Sequence, residues 1–143
     1  MGGRGKRLSV SAHKTNNRAY INSLFEELQT AKIKFSRADT KFITRDQEGK
    51  ITWLEKGNTL VGLTHIQQNH ASQFEKALGI KRADIASHIK AVIEKGVIVE
   101  SIPDQGGTKR TYCYKGNYYT VVVTGSNGFI TTAFPSRIKI KRH

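Results

Sequence analysis

The chain has a single cysteine and no long apolar run. Cys113 alone excludes an internal disulfide, and the sequence has no Cys/His array with the spacing of zinc ligands. We therefore expect neither a structural metal nor a cofactor. No apolar stretch has the length of a membrane-spanning helix, and no segment combines a basic face with a broad apolar face. Membrane binding is therefore not expected.

Acidic residues are also scarce. Lys and Arg together number 24 against 11 for Asp and Glu, which gives a formal net charge of +13 and a pI of about 10.1. Solubility alone does not require so large an excess of positive charge, so the composition indicates a polyanionic partner. With membranes disfavoured, nucleic acid is the preferred partner.

The length of 143 residues suits one domain with a real hydrophobic core. We expect a flexible basic lead at residues 1–18, without the apolar region of a secretory signal, and a single domain at 19–143. Apolar residues at helical spacing predict a helix from Tyr20 to Leu28. Alternating residues predict a strand at 32–35 and a hairpin of 41–44 with 51–54, with Trp53 in the core.

Two further helices and a sheet are predicted after the hairpin. Thr64 and Gln67 have the spacing of a capping box, which starts a helix near His65 that runs to Leu78. A second helix is expected at 83–95, with Gly96 as its C′ residue. Turn sequences then separate β-rich runs in an antiparallel meander. These runs are 97–102, 108–115, 118–124 and 129–134. The pattern predicts an α+β fold, N-terminal helices packed on a twisted antiparallel sheet.

Candidate catalytic groups lie on this helix and sheet. His65 falls in the first helical turn, where the helix dipole and free N–H groups attract an anion, and a neutral imidazole there is a usable general base. His70 falls on the apolar side of the same helix, where a histidine is more often a hydrogen-bonded core residue. On the sheet, Lys109 and Thr111 must share one face and Arg110, Tyr112 and Tyr114 the other. The sequence leaves open which face is free for a ligand. His88 is expected at the surface.

Four short motifs occur in a characteristic order. They are GKITWLE at 49–55, GLTHI with a second histidine at 62–70, RTYCYKGNYYTVVV at 110–123 and GFITTAFP at 128–135. In this order the chain resembles the barnase/EndoU/colicin/RelE-like (BECR) nuclease superfamily. More narrowly, it resembles the branches found as C-terminal toxin domains of contact-dependent inhibition systems and related polymorphic toxins, and in phage-borne proteins. The resemblance covers about residues 40 to 135.

This resemblance implies a BECR-like ribonuclease fold and a metal-independent endoribonuclease, often acting on tRNA and leaving a cyclic phosphate. Carried over by position, it assigns catalytic roles to His65, His70, Lys109 or Arg110, and Thr132. The predicted substrate contacts on the sheet and tail are Tyr112, Tyr119, Thr131, Arg137 and Lys139. Two departures leave the branch and the acid and base assignments open. Phe134 replaces the usual tyrosine, and the histidine spacing differs from that of EndoU.

Such a toxin would be delivered from its producer as part of a larger protein and act in the cytoplasm of a target cell. Its producer would need a cognate acidic immunity protein that covers the basic cleft. We expect the free domain to be a monomer.

Two interpretations without catalysis stay open. Residues 84–124 also have the outline of a winged-helix DNA-binding module, with a wing at 103–110 and structural histidines. Alternatively, an RNA-binding or phage structural protein would stack bases on tyrosines of an open sheet. Those tyrosines would be Tyr112, Tyr114, Tyr118 and Tyr119. The tail at 137–142, which alternates basic and apolar residues, suits an edge strand or an arm on a phosphate backbone.

Overall fold

A computed structural model describes residues 18–104, 106–124 and 127–136. The chain divides into two compact units, residues 1–37 and 38–143, which are described separately here. The single domain predicted for residues 19–143 stays a prediction. The substrate contacts predicted at Arg137 and Lys139 lie outside the described residues.

The first unit contains helix α1, Arg18–Thr30. Its apolar stripe is buried as the residue spacing predicted, and consists of Leu24, Phe25 and Leu28. The strand predicted at 32–35 is wrong, because residues 33–36 have no regular secondary structure. Phe35 instead packs its ring against that of Phe25, with 5.4 Å between the centroids. The alternation of Lys and apolar residues at 32–35 therefore does not mark a strand, and Phe35 is held by its contact with Phe25.

The second unit has an α+β fold, as predicted. Its elements follow in the order β1 Thr40–Arg45, β2 Ile51–Glu55, α2 Leu63–Leu78, α3 Ile85–Lys95, β3 Val97–Asp104, β4 Gly107–Tyr114, β5 Asn117–Val123 and β6 Ile130–Ser136, with a 3₁₀ turn Arg82–Asp84 before α3. β1 and β2 form an antiparallel hairpin, and β3 to β6 form an antiparallel meander in chain order. None of the described helices has the length and apolar character needed to cross a membrane.

The core of this unit lies between α2, α3 and one face of the meander. Ile85, Ile89 and Val92 of α3 and Ile66 and Phe74 of α2 belong to it. The sheet contributes Tyr112, Tyr119, Val121 and Ala133. We call this helix-covered side of the sheet the inner face and the other side the outer face. Trp53 is completely buried, as predicted.

The helix ends differ from the expected capping. α2 begins at Leu63 after Gly62, which as N-cap offers no side-chain hydrogen bond, so Thr64 lies inside the first turn and the predicted capping box is wrong. Gln67 donates to the carbonyl of Arg82 instead. Gly96 follows α3 directly, in an extended conformation rather than the left-handed one typical of a C′ glycine.

Residues 128 and 129 attach the hairpin to the last strand. Trp53 N–H donates to the carbonyl of Gly128 at 2.8 Å, next to a parallel bridge between Trp53 and Phe129. A Cβ on Gly128 would lie 1.9 Å from the carbonyl oxygen of Ile51, so only glycine permits this approach. The start of α2 is attached to the same region, because Gly62 N–H donates to the carbonyl of Thr131 at 2.9 Å. These bonds fix the position of His65 relative to β6.

Candidate active site

His65 lies in the first turn of α2 and is half-buried. Its Nδ1 lies 3.0 Å from the carbonyl oxygen of Thr59 and 3.1 Å from Asn69 Nδ2. Asn69 Nδ2 also donates to the His65 carbonyl at 3.0 Å. A carbonyl oxygen only accepts, so the contact with Thr59, the shorter of the two, places the proton of the neutral imidazole on Nδ1, whereas a hydrogen bond from Asn69 Nδ2 would place it on Nε2. None of the described residues forms a hydrogen bond with His65 Nε2, which bears the lone pair when the proton of a neutral imidazole is on Nδ1.

His70 lies beside His65 on the same helix, with 5.8 Å between the ring centroids and 78° between the ring planes. Its Nδ1 contacts Gln73 Oε1 at 2.5 Å. Its ring packs on Phe134 of β6 at 4.8 Å and 32°. The structure therefore brings His65 and His70 together at the β6 side of the sheet. His70 was predicted on the apolar side of the helix. Its ring packs against the edge strand β6 and does not enter the core.

Strand register places Lys109 and Thr132 on the outer face. Lys109 pairs with Val122, which pairs in turn with Thr132, so the three form one row across β4, β5 and β6. Two strand spacings separate Lys109 from Thr132, about 10 Å. Phe134 lies two residues beyond Thr132 and shares its face. Lys109, Thr132 and Phe134 are all partly exposed. Lys109 and the exposed part of Thr132 are therefore both open to a ligand from the outer face.

Thr132 has an unusual hydroxyl. Its Oγ1 is buried and has no hydrogen-bond partner in the part of the chain that the structure describes. An unpaired buried hydroxyl is costly, so such groups call for a functional or structural explanation. Thr131 differs, because its Oγ1 donates to the carbonyl of Val122 at 3.1 Å. Of these two threonines, Thr132 is thus the one with a free hydrogen-bonding group.

Arg110 does not join this group. It lies on the inner face, where its guanidinium pairs with Asp46 at 2.6 Å and with Glu48 at 2.8 Å. The Asp46 side chain is only 1% exposed and also accepts from the N–H groups of Glu48 and Lys50. Arg110 therefore fastens the β1–β2 turn to the sheet. Of the two cations left open by the sequence, only Lys109 shares a face with Thr132.

The tyrosines predicted to contact substrate are in the core. Tyr112 is 2% exposed and Tyr119 3%, and they face each other across β4 and β5 on the inner face. Burial raises the pKa of both phenols, with the Arg110 guanidinium opposing the rise at Tyr112 and Tyr114 adding to it at Tyr119. Neither ring reaches a ligand on the outer face, and neither is open for base stacking. The prediction that Lys109 lies on the opposite face from Arg110 and Tyr112 was right. Tyr112 and Tyr119, however, lie on the face that packs against the helices.

His88 is half-buried in α3, so its expected surface position is wrong. Its Nε2 lies 2.8 Å from the Tyr119 hydroxyl, and the rings of Phe74, Tyr114 and Tyr119 surround it. Burial lowers the pKa of His88, and the positive charge of Lys115 lowers it further. His88 is a structural histidine of the inner face, separate from His65 and His70.

Among the described residues, no three His, Cys, Asp or Glu side chains are grouped so that they could hold a metal ion. The sequence matches no family model, and no curated protein matches it.

Sequence reasoning missed the groups that hold the histidines. The Thr59 carbonyl and the side chains of Asn69 and Gln73 contact the two imidazoles. Part of this arrangement could have been predicted. Gly57-Asn58 is a turn sequence, and Gln73 lies three residues after His70, so the two side chains are neighbours on a helix. The residue types do not indicate that a backbone carbonyl is the partner of His65.

Proposed function

We propose that this protein is an endoribonuclease that cleaves RNA without a metal ion by acid–base transesterification. The observation that carries the proposal is the pair of neighbouring imidazoles, in which His65 has Nδ1 engaged and Nε2 free. RNA contains its own nucleophile, the 2′-hydroxyl, so cleavage needs only a base, an acid and groups that stabilise charge on phosphorus.

In this mechanism His65 Nε2 removes the proton of the 2′-hydroxyl as its oxygen attacks phosphorus. The bond from phosphorus to the 5′-oxygen breaks, and a protonated His70 gives a proton to that oxygen. The products are a 2′,3′-cyclic phosphate and a 5′-hydroxyl, so protons and electrons balance without an oxidant. Two imidazoles in contact suit this exchange, because histidine changes charge near neutral pH.

The outer face supplies the remaining groups. Lys109 places a positive charge on the side of the sheet that also holds Thr132. The Thr132 hydroxyl has no partner among the described residues and would donate a hydrogen bond to a phosphate oxygen if RNA binding exposes it. The net charge of +13 gives affinity for any RNA, and tRNA is the substrate that the sequence resemblance favours.

The proposed biological setting is that of a toxin with an immunity partner. The proposed site of so basic a protein would be covered most effectively by an acidic protein. The toxin role, delivery into a target cell and the immunity protein all rest on the resemblance and on this charge.

The winged-helix alternative is less well supported. Its wing would be the β3–β4 hairpin, but β4 continues into a four-stranded sheet through β5 and β6. The base-stacking alternative requires four tyrosines on an open face, but Tyr112 and Tyr119 are buried. Tyr114 shares their inner face, which leaves only Tyr118 on the outer face.

The test is incubation of the protein with total tRNA in EDTA, followed by a denaturing gel. We expect wild type and Gln68→Ala to release fragments and His65→Ala to release none. Gln68 is a matched control because it is exposed on the same helix. The new 3′ ends should resist phosphatase until acid opens the cyclic phosphate. Intact RNA with every variant, together with salt-sensitive RNA binding, would overturn the proposal in favour of a binding module.

A further inference from the structure

The loop before α2 is folded by one side chain. Asn58 Oδ1 accepts hydrogen bonds from the N–H groups of Leu60 at 2.8 Å and Val61 at 3.1 Å. The N–H of Asn58 donates to the Val61 carbonyl at 2.9 Å. Asn58 thus closes the turn with three hydrogen bonds, two of them through its side chain, which is a common role of asparagine. The turn at 58–61 therefore depends on the acceptor atom of Asn58.

The ends of the loop are also held. Thr64 N–H donates to the carbonyl of Lys56 at 2.9 Å, which ties the loop entrance to the first turn of α2. Gly57 has φ of +65°, and a Cβ on it would lie 2.0 Å from the Val61 carbonyl oxygen. The chain therefore passes close to itself at Gly57, which leaves the turn little room to rearrange.

The consequence of this turn appears at Thr59. Its carbonyl lies inside the turn and is directed at His65 Nδ1, 3.0 Å away. Which nitrogen of an imidazole bears the proton is set by the hydrogen bond of the other nitrogen. A carbonyl at Nδ1 holds the proton there and leaves Nε2 as the basic atom. Without this acceptor, Asn69 Nδ2 at 3.1 Å is placed to donate to Nδ1, which favours the opposite tautomer.

We propose that Asn58 is a positioning residue for His65. The turn that it folds holds the Thr59 carbonyl against Nδ1, and so makes Nε2 the atom that accepts a proton. The effect on the tautomer depends on geometry alone, whereas the effect on catalysis rests on the proposed ribonuclease function.

The first measurement is the tautomer itself. Protein labelled with ¹⁵N-histidine is studied at alkaline pH, where imidazoles are neutral, by long-range ¹H–¹⁵N correlation, and His65→Gln identifies the signal. We expect His65 to bear its proton on Nδ1 in the wild type. Asn58→Ala should shift much of the population to Nε2–H, and Asn58→Asp, which keeps Oδ1, should restore Nδ1–H. A wild-type Nε2–H tautomer, or an unchanged tautomer in Asn58→Ala, would overturn the proposal.

The second measurement is RNA cleavage by the same variants. Loss of a group that orients a reactive side chain typically costs about 10- to 100-fold in activity. We expect kcat to fall by that factor in Asn58→Ala with little change in KM, and Asn58→Asp to recover it. A fall in kcat with an unchanged tautomer would overturn the positioning role in favour of a structural one. A tautomer shift in a protein that never cleaves RNA would leave the positioning intact and reject only the proposed function.

Discussion

The imidazole of His70 lies against the ring of Phe134, with 4.8 Å between centroids and 32° between planes. This contact joins α2 to the outer face of the sheet, because Phe134 belongs to β6 and shares the face of Thr132. The sequence resemblance favours a tyrosine at this position, and the ring of Phe134 makes a defined contact there. We expect the ring, without a hydroxyl, to be enough to hold His70.

Replacement of Phe134 tests this contact. Phe134→Ala removes a half-buried ring and should cost about 1–3 kcal/mol in the free energy of unfolding, measured by urea denaturation. It should also reduce RNA cleavage, because His70 loses its support. Phe134→Tyr keeps the ring and should retain both properties. A Phe134→Ala variant with full cleavage would show that His70 needs no such support.

Lys109 and Arg110 are neighbours with opposite expected phenotypes. Arg110→Met leaves the carboxylate of Asp46 buried without its partner, so it should cost about 3–5 kcal/mol in the free energy of unfolding. Lys109→Met should change stability by less than about 0.5 kcal/mol, yet lower cleavage and reduce the slope of log affinity against log salt by about 1. Urea denaturation and RNA titrations at several salt concentrations measure these effects. Cleavage that survives Lys109→Met undiminished would exclude that cation from the site.

The Thr132→Val substitution should have different effects on stability and on RNA cleavage. Thr132→Val removes a buried hydroxyl that has no partner, so stability should stay equal or rise by about 1 kcal/mol. Cleavage should fall about 100-fold, as is common when a hydrogen-bond donor to a transition state is removed.

Thr131→Val is the matched control for Thr132→Val. It loses the bond to Val122 and should cost about 1 kcal/mol, while cleavage is retained. The reverse pattern in thermal denaturation and cleavage rates would exchange the roles of the two threonines.

His88 should make stability depend on pH. Its pKa is lowered in the folded protein by burial and by Lys115, so the unfolded chain takes up a proton at higher pH than the folded chain does. The resulting stability is fully present above about pH 6.5 and is lost as the pH falls toward the folded-state pKa.

Urea denaturation between pH 5 and 8 measures this effect as the difference between wild type and His88→Gln. Glutamine can still hydrogen-bond the Tyr119 hydroxyl but does not titrate, so the variant should lose less stability on acidification. Equal losses in the two proteins would show that His88 is not the source.

The sequence predicted most of the regular structure because that structure follows from local periodicity. The helices, the hairpin and the meander all appear near their expected positions, and the two-residue repeat correctly separated Lys109 from Arg110. The burial of Tyr112 and Tyr119 could not be predicted in this way. A period of two says which side chains share a face, but the assignment of a face to the helices depends on how α2 and α3 pack.

The same limit applies to the histidines. His65 was found because its position in a helical turn can be read from residue types. His88 was misplaced because its burial comes from Tyr114 and Tyr119, which are distant in sequence. The Arg110–Asp46 pair joins a residue of β4 to one of the β1–β2 turn, and no local pattern predicts it.

The bond from Gly62 to Thr131 has a consequence for folding order. α3 and nearly all of the meander lie between these two residues in the chain. The first turn of α2 can form early from its own sequence, but it acquires its place against β6 only after that strand has joined the sheet. Long-range closures of this kind come late and slowly. We therefore expect the histidines and the outer face of β6 to meet only near the end of folding, so that a partly folded chain with the helix in place still lacks the assembled candidate site.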